Sequence, residues 1–109
     1  MRILKDNLNI GSRKKLMKEV HSIGHWEVNP YAQTRLSERS IPVQDAVGVC
    51  REGELIEYHN EKGTRRVLLR SPEGTCVVVD LDTHNIVTAY TNDPTNNHPN
   101  LQRQNYLFG

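Results

Sequence analysis

Two arginines and two hydroxyl-bearing side chains fall where strand alternation would bring them onto one surface. In Thr64 to Arg70, Arg66 and Arg70 share one parity, and Val67 and Leu69 the other. In Ile86 to Thr91, Ile86, Thr88 and Tyr90 share one parity, and Val87 and Ala89 the other. Successive side chains of a strand point to opposite faces. If a helical layer covers Val67, Leu69, Val87 and Ala89, then Arg66, Arg70, Thr88 and Tyr90 project from the bare side. An arginine pair beside a hydroxyl and a phenol suits a phosphodiester. The guanidinium is a planar fork of donors for phosphate oxygens, and a tyrosine ring stacks on a base. The competing account is the wet face of a one-sided antiparallel sheet, which periodicity does not separate from a binding face. A second group, Tyr31, Arg35 and Arg39, stands at i, i+4 and i+8, one stripe of a helix. It faces RNA or lines a cleft on one account. On the other, the arginines pair with Glu38 or with carboxylates of the next helix, contacts worth little at a surface.

The remaining reactive types are sparse. His21 and His25 have a metal-like i, i+4 spacing, but Gly24 interrupts the helix between them and no Asp or Glu stands as a third ligand. No metal site is expected. Cys50 and Cys76 have no C-x-x-C partner, which excludes a zinc ribbon or a thioredoxin-type motif. Both sit in apolar patterns and read as small buried hydrophobes of a reducing compartment. The chain has no G-x-S-x-G elbow, phosphate-binding glycine loop or dinucleotide fingerprint. That argues against α/β hydrolases, NTPases and nicotinamide enzymes, and no cofactor is expected.

The elements that must position these groups follow from period and punctuation. Ser12 followed by Arg13 to Ile23 reads as a helix, with Leu16, Val20 and Ile23 inward and Gly24 as the stop. Asn29-Pro30 opens a second helix running to about Arg39, with Ala32 and Leu36 inward. Pro42 restarts the chain into a third, with Val43, Ala46, Val47 and Cys50 at helical spacing and Gly53 at its end. The lone tryptophan, Trp26, lies in a linker and reads as a cap over the core rather than a base-stacking platform. After Gly53 the period falls to two. Glu54 to His59, Thr64 to Arg70, Thr75 to Leu81 and Ile86 to Thr91 are strands, separated by turns at Asn60–Gly63, Ser71–Gly74 and Asp82–Asn85. Connections this short make an antiparallel meander. The expectation is an α+β domain, with short N-terminal helices packed on one face of a four-stranded antiparallel sheet.

A chain of 109 residues is sized for one domain. The expected division is a single domain over 1–91, with a basic segment over 1–24, and an Asn/Pro-rich tail over 92–109. In that tail Leu107 and Phe108 are apolar enough to dock on the domain. Hydrophobic residues make up 36% and charged residues 25%, which is lean but not the composition of a disordered chain. The net charge of +1 excludes a histone-like or acidic-tail protein, yet the charge is polarised. Among the first 20 residues Arg2, Lys5, Arg13, Lys14, Lys15 and Lys18 face only Asp6 and Glu19, a surplus of four that leaves −3 for the rest. Such an end can touch phosphate backbones, or it is the solvated side of a short helix. No apolar run approaches the ~18 residues of a membrane span, and charges interrupt residues 1–15 where a signal peptide needs an apolar stretch. A cytoplasmic location without membrane contact is therefore expected.

The stretch Tyr31-Ala32-Gln33-Thr34-Arg35-Leu36-Ser37-Glu38-Arg39-Ser40-Ile41-Pro42 resembles the H-A-x-x-R-M-x-x-R-G-I-S opening of an uncharacterised family of small bacterial and phage proteins. That family's sheet ends in V-V-T-x-Y, which Ile86-Val87-Thr88-Ala89-Tyr90 matches. The family is assigned to the metal-independent ribonuclease superfamily of barnase, EndoU, the tRNA-cutting colicins and the RelE-type toxins. The similarity runs from about residue 30 to 91, and its motifs are short.

The resemblance implies a RelE- or barnase-like fold and a toxin-like endoribonuclease, in which a ribose 2′-OH attacks the adjacent phosphorus without a metal. Arg35 and Arg39 match the helix arginines, Thr88 and Tyr90 the strand motif, and one of Arg65, Arg66 or Arg70 the sheet arginine. Arg66 or Arg70 would stabilise charge on the pentacovalent phosphate, and Thr88 and Tyr90 would bind the phosphate or orient the reacting groups. Arg35, Arg39, Arg70, Lys14 and Lys15 would hold RNA, whether tRNA or ribosome-associated. The chain departs from the pattern at Tyr31, where the family has a histidine, the side chain that carries protons near neutral pH. Either the activity is lost or another group, His25, Tyr31 itself or His98, moves the proton. The alternatives are a catalytically silent module that binds an antitoxin or other protein partner, and a non-catalytic RNA-binding protein.

Overall fold

The computed structural model describes residues 2–4 and 7–91, with the side chain of Arg2 left out. The chain first runs through a short strand, β1 (Arg2–Leu4). Asn9 then opens helix α1 (Ile10–Ser22), its side-chain oxygen accepting from the Ser12 amide at 2.7 Å. That bond satisfies one of the donors a helix start leaves orphaned. The cap thus lies three residues before the expected Ser12, and the helix starts at Ile10 rather than Arg13. A two-residue strand, β2 (Glu27–Val28), precedes α2 (Pro30–Glu38), where Asn29 caps the Ala32 amide at 2.8 Å and Pro30 takes the first helical position. Helix α3 (Val43–Glu52) ends at Gly53, whose amide donates to the Val49 carbonyl at 2.7 Å. A Cβ at Gly53 would lie 2.5 Å from that oxygen, so close approach and not a left-handed φ selects glycine there.

Strands β3 (Glu54–Glu61), β4 (Thr64–Arg70), β5 (Thr75–Asp80) and β6 (Asn85–Thr91) form the expected antiparallel meander. The β3–β4 turn places Lys62 and Gly63 both at positive φ (52° and 83°), as a tight two-residue hairpin loop requires. The architecture is α+β, but the sheet has six strands in the order β1-β3-β4-β5-β6-β2, not the four expected. β1 joins the edge of β3 antiparallel, and β2 lies parallel to β6 at Asn85 and Ile86. Both additions are two or three residues long, too short to register as a periodic pattern.

All three helices pack on one face of the sheet. There Val20, Ala32, Leu36, Ala46, Val49 and Cys50 meet Leu55, Val67, Leu69, Val77, Val79, Ile86 and Ala89 in one core. Leu36, Leu69 and Ile86 are each at most 1% exposed, and burying a side chain of that size stabilises the fold by about 2 kcal/mol. Trp26 belongs to this core, its ring edge-on to His84. The opposite face carries a second cluster of Ile56, Leu68, Cys76 and Val78, flanked by Val87 and Tyr90. Two expected side assignments are corrected: a register shift between Val78 and Val79 puts Ile86 under the helices and Val87 on the far face. A bulge adds one residue to a strand and reverses the alternation beyond it.

Cys50 and Cys76 belong to different clusters on opposite sides of the sheet, and both are buried thiols not joined in a disulfide. Burial pushes their thiols up to about 12 and about 11, so both are weak nucleophiles at neutral pH.

Candidate functional site

Strand pairing sorts the far face into three rows: Glu54–Arg70–Cys76–Tyr90, Glu57–Leu68–Val78–Thr88 and His59–Arg66–Asp80–Asn85. Arg66, Arg70, Thr88 and Tyr90 therefore share the side away from the helices, as their parity predicts. Strands lie ~4.8 Å apart, which puts the Arg70 and Tyr90 backbones about 10 Å from each other. The expectation of a bare, wet surface is corrected, however. Thr88 is fully buried and Arg70 is 6% exposed. Arg66 brings Nε to 3.7 Å from Asp80 Oδ2. Asp80 is itself fixed, its Oδ1 accepting from the Asp82 and Thr83 amides at 2.9 and 3.0 Å. Two further ionisable side chains, Glu57 and His59, are buried on the same face, with His59 Nε2 at 3.3 Å from Glu61.

The decisive contact comes from α2. Arg39, the residue that ends this helix, donates through Nη1 to Thr88 Oγ1 at 2.9 Å and to the Ala89 carbonyl at 2.8 Å. Two stretches 49 residues apart thus meet at one guanidinium. The geometry has a local cause. β2 pairs with β6 only at Asn85 and Ile86, so the outer edge of β6 past that point offers its carbonyl to a side chain. Among the described residues, Arg39 Nε and Nη2 make no hydrogen bond. One edge of the guanidinium is committed to the protein while the other keeps the paired donors that match two phosphate oxygens.

The helical stripe is divided between two roles. Tyr31 and Arg35 remain at the surface, where Arg35 donates to the Tyr31 hydroxyl from Nε (3.1 Å) and Nη2 (2.9 Å) and reaches Glu38 at 3.4 Å. Arg39 turns to the sheet. Lys14 and Lys15 are exposed on α1, consistent with either solvation or phosphate contact. His25 is exposed in the loop before β2, with Nε2 at 3.0 Å from Glu27. The structure brings Arg39 to Thr88 but ties His25 to Glu27 and not to the threonine. His98 lies outside the described residues.

Arg65, one of the three arginines open to the sheet role, serves another purpose. It spans Glu19 of α1 (2.8 and 3.1 Å) and Asp82 of the β5–β6 turn (2.7 and 3.1 Å). Its hydrogen bonds hold the Asp82 carboxyl below its ordinary range. A depression of about 530 Å³ lies elsewhere, between the end of α3 and the β4–β5 turn. It is rimmed by Asp45, Glu52 and Glu73, a sign of charge that repels a polyanion. Among the described residues no group of three or more metal-ligating side chains comes together, and no helix is long and apolar enough to cross a membrane.

Sequence reasoning missed the Arg39–Thr88 bond and the buried set of Glu57, His59 and Asp80. For Asp80 a signal existed, since an aspartate closing an apolar strand before a polar turn is a side-chain acceptor for the turn amides. Comparison with known proteins yields no match among family models, curated proteins or solved structures.

Proposed function

We propose that the chain acts on RNA as a toxin-like, metal-independent endoribonuclease of the barnase-to-RelE kind, with the Arg39–Thr88 pair at the scissile phosphate. The observation that carries this reading is the half-committed guanidinium: Nη1 is anchored by Thr88 and Ala89, and the Nε/Nη2 edge stays available. It also joins the two stretches, 31–42 and 86–90, on which the resemblance rests. In the reaction, the ribose 2′-oxygen attacks the adjacent phosphorus and the bond to the 5′-oxygen breaks. The products are a 2′,3′-cyclic phosphate and a 5′-hydroxyl. A donor fork fixed in advance stabilises the charge that builds on the non-bridging oxygens. Arg39 takes this role in place of Arg66, which faces Asp80, and Arg70, which is buried. Arg35 and Tyr31 extend the surface along α2, and Lys14 and Lys15 hold the backbone farther out. His25, or Tyr31 as its phenolate, accepts the 2′-hydroxyl proton, both being exposed, and that proton returns through water to the 5′-oxygen as its bond to phosphorus breaks.

A second reading has its own support. Burial of Thr88 and Arg70, together with Tyr31 in the histidine position, favours a catalytically silent module that holds an antitoxin or other protein. Incubating the purified chain with total tRNA and with ribosomes, with and without chelator, separates the two. Cyclic-phosphate ends that persist under chelation and vanish in Arg39→Gln support the enzyme. Absence of cleavage on both substrates overturns it and leaves the binding module.

A further inference from the structure

Helix α1 sorts its charges onto two flanks. Glu19, its one acidic side chain, turns to the sheet and is held by Arg65 at 2.8 and 3.1 Å. Lys14, Lys18 and His21 follow one another at i, i+4 and i+7 on the other flank, all exposed. Along the helix axis they span about 10 Å. Arg51, in the last turn of α3, extends the row, because it and His21 line one notch between the two helices. Among the described residues none of these four cations has an ion-pair partner. Helix stability does not select this placement. The first turn of α1 holds no acidic side chain, and Arg13, Lys14 and Lys15 stand near its positive end, where cations oppose the helix dipole. A row of unpaired cations set against the dipole is complementary to an external polyanion.

The notch beside this row has an apolar interior. Val20, Ile23, Trp26 and Cys50 line it, and the exposed His21 and Arg51 stand at its mouth. Its volume is about 120 Å³. Cavities of about 150 Å³ take a benzene ring, so the notch has room for a six-membered ring and not for a fused purine. The acids of α3, Asp45 and Glu52, face the depression on that helix's other side and leave the notch without negative charge. A flat ring with apolar faces and acceptors on its rim is a pyrimidine base, and the guanidinium and imidazole supply donors for its carbonyl oxygens.

We infer that the seam between α1 and α3 is a contact for single-stranded RNA, with one pyrimidine seated in the notch and Lys14 and Lys18 following the backbone. The inference rests on the proposed action on RNA for its partner, and it uses other helix surfaces than the Arg39–Thr88 pair. Fluorescence anisotropy with a labelled 2′-O-methyl oligouridylate, which binds without being cut, tests the cationic row. Each phosphate neutralised on a single strand adds about −0.7 to the slope of log K against log salt. Lys14→Gln with Lys18→Gln is therefore expected to flatten that slope by about 1.4. An unchanged slope overturns the inference.

Trp26 is the chain's one tryptophan, so its emission reports on the notch. Oligouridylate is expected to change this emission saturably and to bind on the order of tenfold tighter than an abasic strand of equal length. Arg51→Gln is expected to erase that preference, and oligoadenylate to bind like the abasic strand. Equal affinity for uridylate and abasic strands, or adenylate bound as tightly as uridylate, overturns the inference. All these readouts record binding and not cleavage. Binding of this pattern without cleavage of tRNA removes the ribonuclease and leaves the inference standing. Cleavage by a chain whose binding ignores Lys14, Lys18 and the bases does the reverse.

Discussion

Replacing Arg39 by alanine removes two hydrogen bonds from a cation and strands their acceptors. The Thr88 hydroxyl is fully buried and the Ala89 backbone lies at the outer edge of β6. Hydrogen bonds to charged groups contribute about 1.5–3 kcal/mol, and a buried acceptor left unmade costs about 1–3 kcal/mol. Arg39 is itself only half-buried and its lost fork is partly replaced by water, so the net cost is about 2 kcal/mol. For a chain of this length that lowers the melting temperature by about 10 °C. The test is a double-mutant cycle in urea with Thr88→Val, which keeps the shape of the side chain and removes its acceptor. The single Thr88→Val change leaves the Ala89 contact in place and is expected to cost about 1 kcal/mol, with a coupling energy to Arg39→Ala of about 1 kcal/mol. Strict additivity, or an Arg39→Ala variant within about 0.5 kcal/mol of the parent, would refute the claim that this guanidinium is fixed by the sheet.

Gly53→Ala forces a methyl group to within 2.5 Å of the Val49 carbonyl and 3.3 Å of the Arg70 amide. Its expected cost is about 2 kcal/mol, read as a lowered urea midpoint with unchanged slope, and a neutral result would mean that α3 and β4 yield easily. The Asp82 carboxyl, held below its ordinary range by Arg65, contributes stability above its unfolded pKa that is lost as pH falls through the folded value. The gap in urea midpoint between the parent and Asp82→Asn is therefore expected at pH 6 and should shrink as pH falls below about 4. A gap that stays constant down to pH 2 contradicts this.

Much of the scaffold was legible because it is written in local chemistry. Asn29-Pro30, Pro42 and Gly53 bound α2 and α3, and Ser71-Pro72-Glu73-Gly74 makes the β4–β5 turn, with Gly74 donating to the Ser71 carbonyl. What stayed hidden depends on distant pairing. The two edge strands carry no pattern of their own, and they exist because β3 and β6 offer free edges. The bulge at Val78/Val79 changes the side of Val87 without any residue that marks it. The candidate site divides the same way. Alternation placed Arg66, Arg70, Thr88 and Tyr90 on one face, but parity carries no information about burial. Arg39 looked like one more member of an exposed stripe with Tyr31 and Arg35, and only the fold brings it to Thr88.

The most direct test of the proposed site is the side-chain Nε–Hε resonance of Arg39 during titration with a 2′-O-methyl RNA oligonucleotide, which binds without being cut. The account predicts a saturable shift of that resonance together with the Tyr31 and Thr88 signals, absent in Arg39→Gln. Shifts confined to the lysines of α1, or none at all, would contradict it.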